Sequence, residues 1–340
     1  MSTGTAVPGS RGPPYKRKRS HTNDTHTNDT LREFLSKNKD EIQVNSISIT
    51  ELDVSGVTDM SRLFSGWPLF NQPLNWDTSS VINMESTFAR CRSFNQPLEW
   101  DTSSVINMES TFDRCGSFNQ PLEWDTSSVI NMDSTFDGCS SFNQPLAWDT
   151  RSVEKMQFMF RDCVRFNQPL KWNTGSVKNM QFMFMGSSSF NQPLAWDTRN
   201  VVDMKYMFCD SVLFNQPLKW NTGSVKNMEH MFDTCTAFNQ SLVWDTRNVT
   251  DMTSMFSSCS ALTSTLFFAM RRVSADGKNR MLEGCGTGAT VSDISDDLID
   301  GGFSVDDIRG LELIDPHRTS FGVYMRKAVG RKRRAGVYLV

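Results

Sequence analysis

Residues 94–115 read FNQPLEWDTSSVINMESTFDRC, and residues 118–139 repeat nearly the same text as FNQPLEWDTSSVINMDSTFDGC. Tryptophan recurs every 24 residues, and Phe, Met, Val and Leu residues recur with the same period. We call the set of residues at one equivalent position of successive repeats a column. The tryptophan column comprises Trp76, Trp100, Trp124, Trp148, Trp172, Trp196, Trp220 and Trp244. Such a period is typical of a solenoid, in which each unit buries its apolar face only by stacking on its neighbours.

Composition excludes several classes of protein. The 340 residues carry a formal net charge of -3, which argues against a chain that coats nucleic acid as a whole. No run approaches the roughly 18 apolar residues that a transmembrane helix needs. The first thirty residues contain no apolar region typical of a secretory signal.

Each repeat is predicted to begin with a short strand. Leu98, Trp100 and Thr102 alternate with charged or small polar residues, which is the period-two pattern of a strand with one buried face. The constant NQP that precedes the strand places Pro121 at a strand edge, where a missing N–H is tolerated.

The second half of each repeat is predicted to be a short helix. Val105, Met108, Phe112 and Cys115 follow a helical spacing, and Ser104 precedes them as a favoured N-cap. The predicted fold class is therefore an α/β repeat solenoid. Each 24-residue repeat is predicted to contribute one short parallel strand and one short helix.

The chain divides into five predicted segments. Residues 1–29 form a disordered polar and basic tail, and residues 30–56 form an N-terminal cap with the first strand. In the cap, Thr30 and Glu33 are expected to form a capping box. The repeat solenoid spans 57–259 and a degenerate closing coil spans 260–286. Residues 287–340 form an acidic short-helix segment with a basic C-terminal tail.

Three constant columns have competing interpretations. The Asn71 column is expected to satisfy backbone groups in the turn. The Asp77 column suits either calcium ligation or Asx-turns, and the missing glycine-rich loops favour Asx-turns. The Cys91 column brings thiols close enough for disulfides, but serine interrupts it at 187 and 211, which favours buried free thiols.

No catalytic, cofactor or metal site is predicted. The four histidines share no spacing, and the paired cysteines of a zinc site are absent. Hydrolase or transferase activity in residues 287–340 is a third hypothesis, which would require that segment alone to turn over a substrate.

The columns that vary are the candidates for partner binding, because exposed strand positions line the surface that solenoids use for recognition. Beside the tryptophans the residues change from acidic to basic along the chain. The candidate residues are Glu99, Glu123, Arg151, Lys171, Arg199, Lys219 and Arg247. Ordinary solvated surface is the alternative interpretation.

A further column changes in the later repeats. The serine at position 86 is replaced by Phe158, Phe182, Tyr206 and His230. These side chains either form a partner patch or improve packing between repeats.

Two basic clusters flank the repeats. They are candidate localisation signals, and any nucleic-acid contact is expected only through them; a solubilising role is the alternative. The clusters comprise Lys16, Arg17, Lys18, Arg19, Arg331, Lys332, Arg333 and Arg334.

The repeat FNQPLxWDTSxVxNMxxMFxxC resembles the BspA-type leucine-rich-repeat family over about residues 47–270. The resemblance implies a leucine-rich-repeat-like, right-handed coil that forms a horseshoe used for binding or adhesion, without catalysis. Members are commonly surface proteins of bacteria and protists with export signals or lipid anchors, and this sequence shows neither.

These observations predict a non-enzymatic protein–protein recognition scaffold that binds a protein partner through the exposed strand face. An intracellular location is expected, with basic tails that address the chain to the nucleus. The alternative is an exported surface or adhesion protein of the BspA-like type.

Overall fold

The computed structural model describes residues 25–278 and 280–293. Helix α1 spans Asn28–Lys37 and helix α2 spans Lys39–Gln43, and a short 3₁₀ turn spans Asp276–Lys278. Strands β1, β2 and β3 span Val243–Trp244, Thr265–Phe268 and Thr290–Asp293. Both basic clusters lie outside the described residues, as does all of the predicted acidic helical segment beyond Asp293.

Helix α1 forms where the sequence predicts the N-terminal cap, but it starts two residues earlier. Its N-cap is Thr27, which forms a capping box with Thr30, so the predicted box of Thr30 with Glu33 is wrong. Glu33 instead pairs with Lys37 one turn later. Leu31 and Leu35 of α1 are fully buried because they pack on the first repeat.

Two side chains of α1 take the place of a preceding repeat. The Arg32 guanidinium donates to the carbonyl oxygens of Ser61 and Asp59 at 2.6 and 3.2 Å. The Asn28 amide oxygen accepts the backbone N–H groups of Thr58 and Asp59. These backbone groups would otherwise be unpaired, because no repeat precedes them among the described residues.

Equivalent positions of successive repeats are joined by backbone hydrogen bonds. One parallel bridge occurs per repeat, from Asp59 with Asn83 through to Asn227 with Asp251. The N–H groups of Met60, Arg62 and Phe64 donate to carbonyl oxygens of the next repeat, at 2.8 to 2.9 Å. Each repeat therefore donates to the repeat that follows it.

The prediction of a short helix in each repeat is wrong. Within residues 57–259, all of which are described, no helix is present. In residues 60–67, every second N–H donates to the next repeat, while Leu63, Ser65 and Trp67 donate to carbonyls three residues earlier, and later repeats follow the same pattern. The result is a series of tight turns that still buries the positions expected for a helical stripe.

Two residues per repeat hold these turns in a left-handed conformation. In the first repeat they are Arg62 and Gly66, with φ of 60° and 71°, and the pair recurs in every later repeat. An α-helix cannot include such residues, because its backbone requires negative φ throughout. Ser104 and its equivalents consequently do not cap a helix; Ser152, for example, donates to the Ser127 carbonyl of the preceding repeat.

The strand predicted for each repeat has the expected alternation of buried and exposed residues. Regular hydrogen bonding between neighbouring strands occurs only in the last described repeats. Strands β1, β2 and β3 pair in parallel in that order. In earlier repeats the tryptophan indole takes the carbonyl that a neighbouring strand would use, as when Trp100 Nε1 donates to the Leu74 oxygen at 3.2 Å. Phe268 has no such donor, and the Leu242 oxygen accepts the Phe267 N–H instead.

The core consists of ring columns stacked from repeat to repeat. Neighbouring tryptophans lie 6.2 to 6.5 Å apart and nearly parallel. Each Phe88-type ring also stacks on the Phe94-type ring of its own repeat, at 4.3 Å for this pair. All of these rings are buried.

The predicted closing coil extends further than residue 286. A two-residue insertion shifts the register, so the Phe256 N–H donates to Met281, whereas the equivalent Phe232 donates to Met255. The thiol of Cys285 donates to the Phe256 oxygen. The chain then adds β3, which pairs with β2. Residues 287–293 thus belong to the array, and not to the acidic segment as predicted.

Candidate partner-binding surface

The surface expected to bind a partner is built by the extended segment of each repeat. Its exposed residues alternate with the buried Leu, Trp and Thr columns, at positions 75, 77 and 79 and at the equivalent positions of the later repeats. We call this surface the strand face. Of the seven candidate residues, six are exposed, and Arg247 is partly buried.

The N-terminal half of the strand face is strongly acidic. Glu99 and Glu123 lie beside Asp77, Asp101 and Asp125, and no described cation forms an ion pair with any of the five. Five uncompensated carboxylates on neighbouring repeats produce a negative potential that favours a basic partner surface.

The arginines of the C-terminal half do not contribute free positive charge. Arg151 and Arg199 each pair with the aspartate two residues before them, at 2.6 and 2.8 Å. Arg247 pairs with Asp245 in the same manner. The pairing with Asp149 raises the pKa of Arg151 through a hydrogen bond and charge attraction.

Lys171 and Lys219 remain the positive groups of the strand face. Both are exposed, and the column that carries aspartate elsewhere holds Asn173 and Asn221 beside them. The structure therefore places two lysines among neutral ion pairs, opposite in sign to the acidic half.

The aspartates of the strand face form Asx-turns. The Asp101 carboxylate accepts the Ser103 hydroxyl at 2.6 Å and its N–H at 3.0 Å, and these bonds lower the pKa of Asp101. The Asp125 carboxylate accepts the Ser127 N–H at 3.0 Å, and the pKa of Asp125 is also lowered. Among the described residues, no group of three or more His, Cys, Asp or Glu side chains is arranged to hold a metal ion.

The asparagine column satisfies the backbone, as the sequence predicts. Asn71 Oδ1 accepts the N–H of Asn95 at 2.9 Å, and Asn95 repeats the contact with Asn119. The glutamine that follows each asparagine donates to the same oxygen, as Gln120 does to Asn95. The amide oxygens of this column therefore serve the fold.

The cysteine column consists of free thiols that act as hydrogen-bond donors. Cys115 Sγ donates to the Phe88 carbonyl of the preceding repeat at 2.9 Å, and Ser211 donates to the equivalent Phe184 carbonyl at 2.6 Å. Burial raises the pKa of Cys115 far above its usual value, which keeps the thiol protonated. The shared donor role explains why serine interrupts the column.

One buried ion pair connects two repeats on the turn side. Arg161 makes a bidentate contact with Asp137 of the preceding repeat, at 2.9 and 2.5 Å. The cost of burying a charged carboxylate outweighs the hydrogen bonds and positive charge of Arg161, and so raises the pKa of Asp137 to about 6. Sequence reasoning missed this pair because the partners lie one full repeat apart, in a column with no constant charge.

The two histidines within the described residues lie far apart. Of the four histidines, His26 lies beside the N-terminal helix and His230 lies seven repeats further on, while His21 and His317 are outside the described residues. In residues 25–278 and 280–293, no helix combines the length and apolar character that crossing a bilayer requires.

The regular hydrogen bonding between equivalent positions defines a repeat protein with a small parallel sheet at its C-terminal end. The chain belongs to the family described as Mycoplasma protein of unknown function, DUF285, whose model matches residues 30–123, 98–192, 121–218 and 170–268. The four matches overlap and together cover well over half of the chain. No curated protein and no solved structure matches it.

Proposed function

We propose that this chain is a non-enzymatic protein–protein recognition scaffold. In this proposal the repeats form a right-handed, leucine-rich-repeat-like solenoid of BspA type, and a protein partner binds its strand face. The observation that carries the proposal is the contrast between columns. The buried columns keep nearly the same residue in every repeat, while the exposed ones carry residues that change in charge along the chain.

The acidic half of the strand face is the strongest single element of the proposed binding surface. Its carboxylates are exposed, and charges on a solvent-facing surface act chiefly on the rate and specificity of association. A partner with a basic surface would therefore be recognised through Glu99 and Glu123, and its acidic side would face Lys171 and Lys219.

The test compares charge reversals at two places on the full chain. Glu99→Lys with Glu123→Lys changes the strand face, and Asp40→Lys with Glu41→Lys makes the same charge change on exposed residues of α2. Proteins captured from a cell lysate are quantified by mass spectrometry. We expect a defined set to be lost with the first pair and retained with the second. Equal capture by both variants would refute binding at the strand face.

Location is a separate part of the proposal. The basic tails suggest an intracellular, nuclear protein, whereas the BspA resemblance suggests an exported adhesion protein. Export would allow glycosylation at Asn23 or Asn28. The Asn28 amide nitrogen already donates to Thr58 Oγ1 at 3.2 Å, so a glycan there would disrupt the N-terminal cap. Fractionation of the tagged protein, with glycan mass at Asn23 as readout, distinguishes the two locations.

A further inference from the structure

Four neighbouring repeats carry an aromatic ring at a left-handed backbone position. Phe158, Phe182, Tyr206 and His230 have φ of 56°, 58°, 57° and 52°. Their rings stack in order at 4.7, 5.0 and 4.6 Å, within 17° of parallel. We call these four residues the aromatic ladder. The column therefore does pack between repeats, but it also reaches the surface, since all four residues are half-buried.

The turn itself does not require the aromatic ladder. A left-handed conformation costs any non-glycine residue about 1–2 kcal/mol, and each stacked pair returns about 0.5–1.5 kcal/mol. The same turn forms with serine at positions 86, 110, 134 and 254. A strained position that carries large residues where small ones suffice indicates a role outside the fold.

The geometry restricts what the aromatic ladder can bind. Its ring faces contact one another, so nucleobases or sugars cannot stack between the rings, and only the ring edges face outwards. Arg161 already lies over the outer face of Phe158, with its guanidinium carbon 4.9 Å from the ring centre. The exposed edges, together with the half-buried Met185, suit apolar or aromatic side chains of a peptide segment.

Charges around the aromatic ladder favour a basic segment. Asp162 and Asp210 are exposed beside it, and Glu229 and Asp233 flank His230. Arg161 pairs with Asp137, and Lys205 pairs with Glu229 at 3.4 Å, which leaves Asp162, Asp210 and Asp233 without a lysine or arginine partner among the described ion pairs. The rim therefore has an excess of negative charge around an apolar strip.

One segment of this chain has the matching chemistry. Residues 320–340 read SFGVYMRKAVGRKRRAGVYLV, with six basic residues, no acidic residue and several aromatic and aliphatic side chains. The segment begins 27 residues after Asp293, and 27 extended residues span up to about 90 Å. The aromatic ladder ends at His230, within the last three repeats, so it lies well inside this reach.

We propose that residues 320–340 dock on the aromatic ladder of the same chain. Their apolar side chains pack against the ring edges, and their basic residues face the acidic rim. Docking covers the cluster from Arg331 to Arg334, so that the candidate localisation signal is accessible only after release. The acidic half of the strand face is the competing site for the same segment.

A photo-crosslinking residue in the full chain tests this proposal. Tyr206→p-benzoylphenylalanine keeps an aromatic ring in the ladder, while the same substitution at Ser110 probes the equivalent position in a repeat without a ladder. Substitution at Glu123 probes the strand face. After irradiation, we expect position 206 to give cross-links to residues 320–340 at least tenfold more often than the other two positions. Absence of such cross-links, or a higher yield at 123, would overturn the proposal.

Two further experiments test whether the basic residues are needed for docking and whether the docked segment comes from the same molecule. Replacing Arg331, Lys332, Arg333 and Arg334 by serine should lower the cross-link yield at 206 several-fold, and replacing the three arginines by lysine should preserve it. Mixing isotopically light and heavy chains before irradiation identifies the source, since docking in one chain gives no mixed peptides. An unchanged yield for the serine variant, or mixed cross-links in statistical proportion, would contradict docking as proposed.

Discussion

Each tryptophan of the repeats supplies both packing and a hydrogen bond. Trp148 stacks between Trp124 and Trp172 at 6.3 and 6.5 Å, and its Nε1 donates to the Leu122 oxygen at 3.3 Å. The periodic alternation predicted the packing, because a buried ring column is visible in sequence. It did not predict the hydrogen bond, which depends on the distance between neighbouring extended segments.

Truncating Trp148 should separate these two contributions. Trp148→Ala leaves a cavity and should destabilise the protein by about 3–5 kcal/mol. Trp148→Phe keeps a stacked ring but leaves the Leu122 oxygen without its donor, which should cost about 1–3 kcal/mol. Urea unfolding followed by circular dichroism measures both. Unchanged stability of Trp148→Phe would show that the indole N–H contributes nothing, and equal losses for the two variants would contradict a separate contribution from ring packing.

The stability of variants in the cysteine column should depend on whether the side chain can donate a hydrogen bond, and not on the presence of sulfur. Cys163→Ser retains a donor to the Phe136 carbonyl, so we expect a change within about 1 kcal/mol. Cys163→Ala removes the donor and should cost about 1–3 kcal/mol more than the serine variant. Ser187→Cys is the matched reverse exchange, because Ser187 donates to the equivalent Phe160 carbonyl. A serine variant as unstable as the alanine variant would contradict this account.

At the scale of the structural element, the turn segment shows where sequence reasoning failed. Val105, Met108, Phe112 and Cys115 have helical spacing and are all buried, so burial was predicted correctly and conformation was not. The missed signal was glycine at positions 66, 138, 186 and 284, which marks one left-handed column. Serine, arginine and aromatic residues elsewhere in the two left-handed columns hid that signal.

The ion pair between Asp137 and Arg161 should make stability depend on pH. The pKa of Asp137 is about 6 in the folded protein, above its ordinary value of 3.8, because burial disfavours the charged form. The folded state therefore binds the proton more tightly. The contribution of this group to stability is greatest below about pH 4 and is lost as the pH rises through 6.

Asp137→Asn removes this titration and is expected to change the pH profile. Relative to the unchanged protein, the variant should become more stable by up to about 3 kcal/mol between pH 4 and pH 7, because it has no buried proton to lose. The absolute stability of the variant also reflects the lost ion pair, so only the pH-dependent difference is diagnostic. Parallel profiles for the two proteins would exclude Asp137 as the titrating group.

At the scale of the whole molecule, the repeat register was the most predictable feature. Trp76 to Trp244 fixed the period, and the hydrogen bonds between Asp59-type positions follow it without a gap. The ends were less predictable. The two-residue insertion before Met281 and the strand at Thr290–Asp293 break the period, so no column pointed to them.

Deletions should be tolerated in whole periods only. Removing residues 98–121 joins Pro97 to Leu122 and leaves every column in register, so the protein should fold with a somewhat lower unfolding free energy. Removing residues 98–109, half a period, displaces the buried columns and should abolish cooperative unfolding. Near-ultraviolet circular dichroism and thermal melts compare the two. Cooperative melting of the half-period deletion would contradict a register set by the columns.

The polarity of the repeats has a consequence for how molecules meet. Alternate backbone N–H groups of each turn segment donate to the following repeat, so the first turn segment has carbonyl acceptors at Asp59 and Ser61, which Arg32 occupies. Arg32→Ala should expose that end to the donors of another molecule and permit head-to-tail filaments, since such contacts do not close. Light scattering should then show concentration-dependent growth, which Arg62→Ala, at an exposed arginine beside the same end, should not produce. By covering these carbonyl groups, helix α1 would thus prevent head-to-tail growth between molecules.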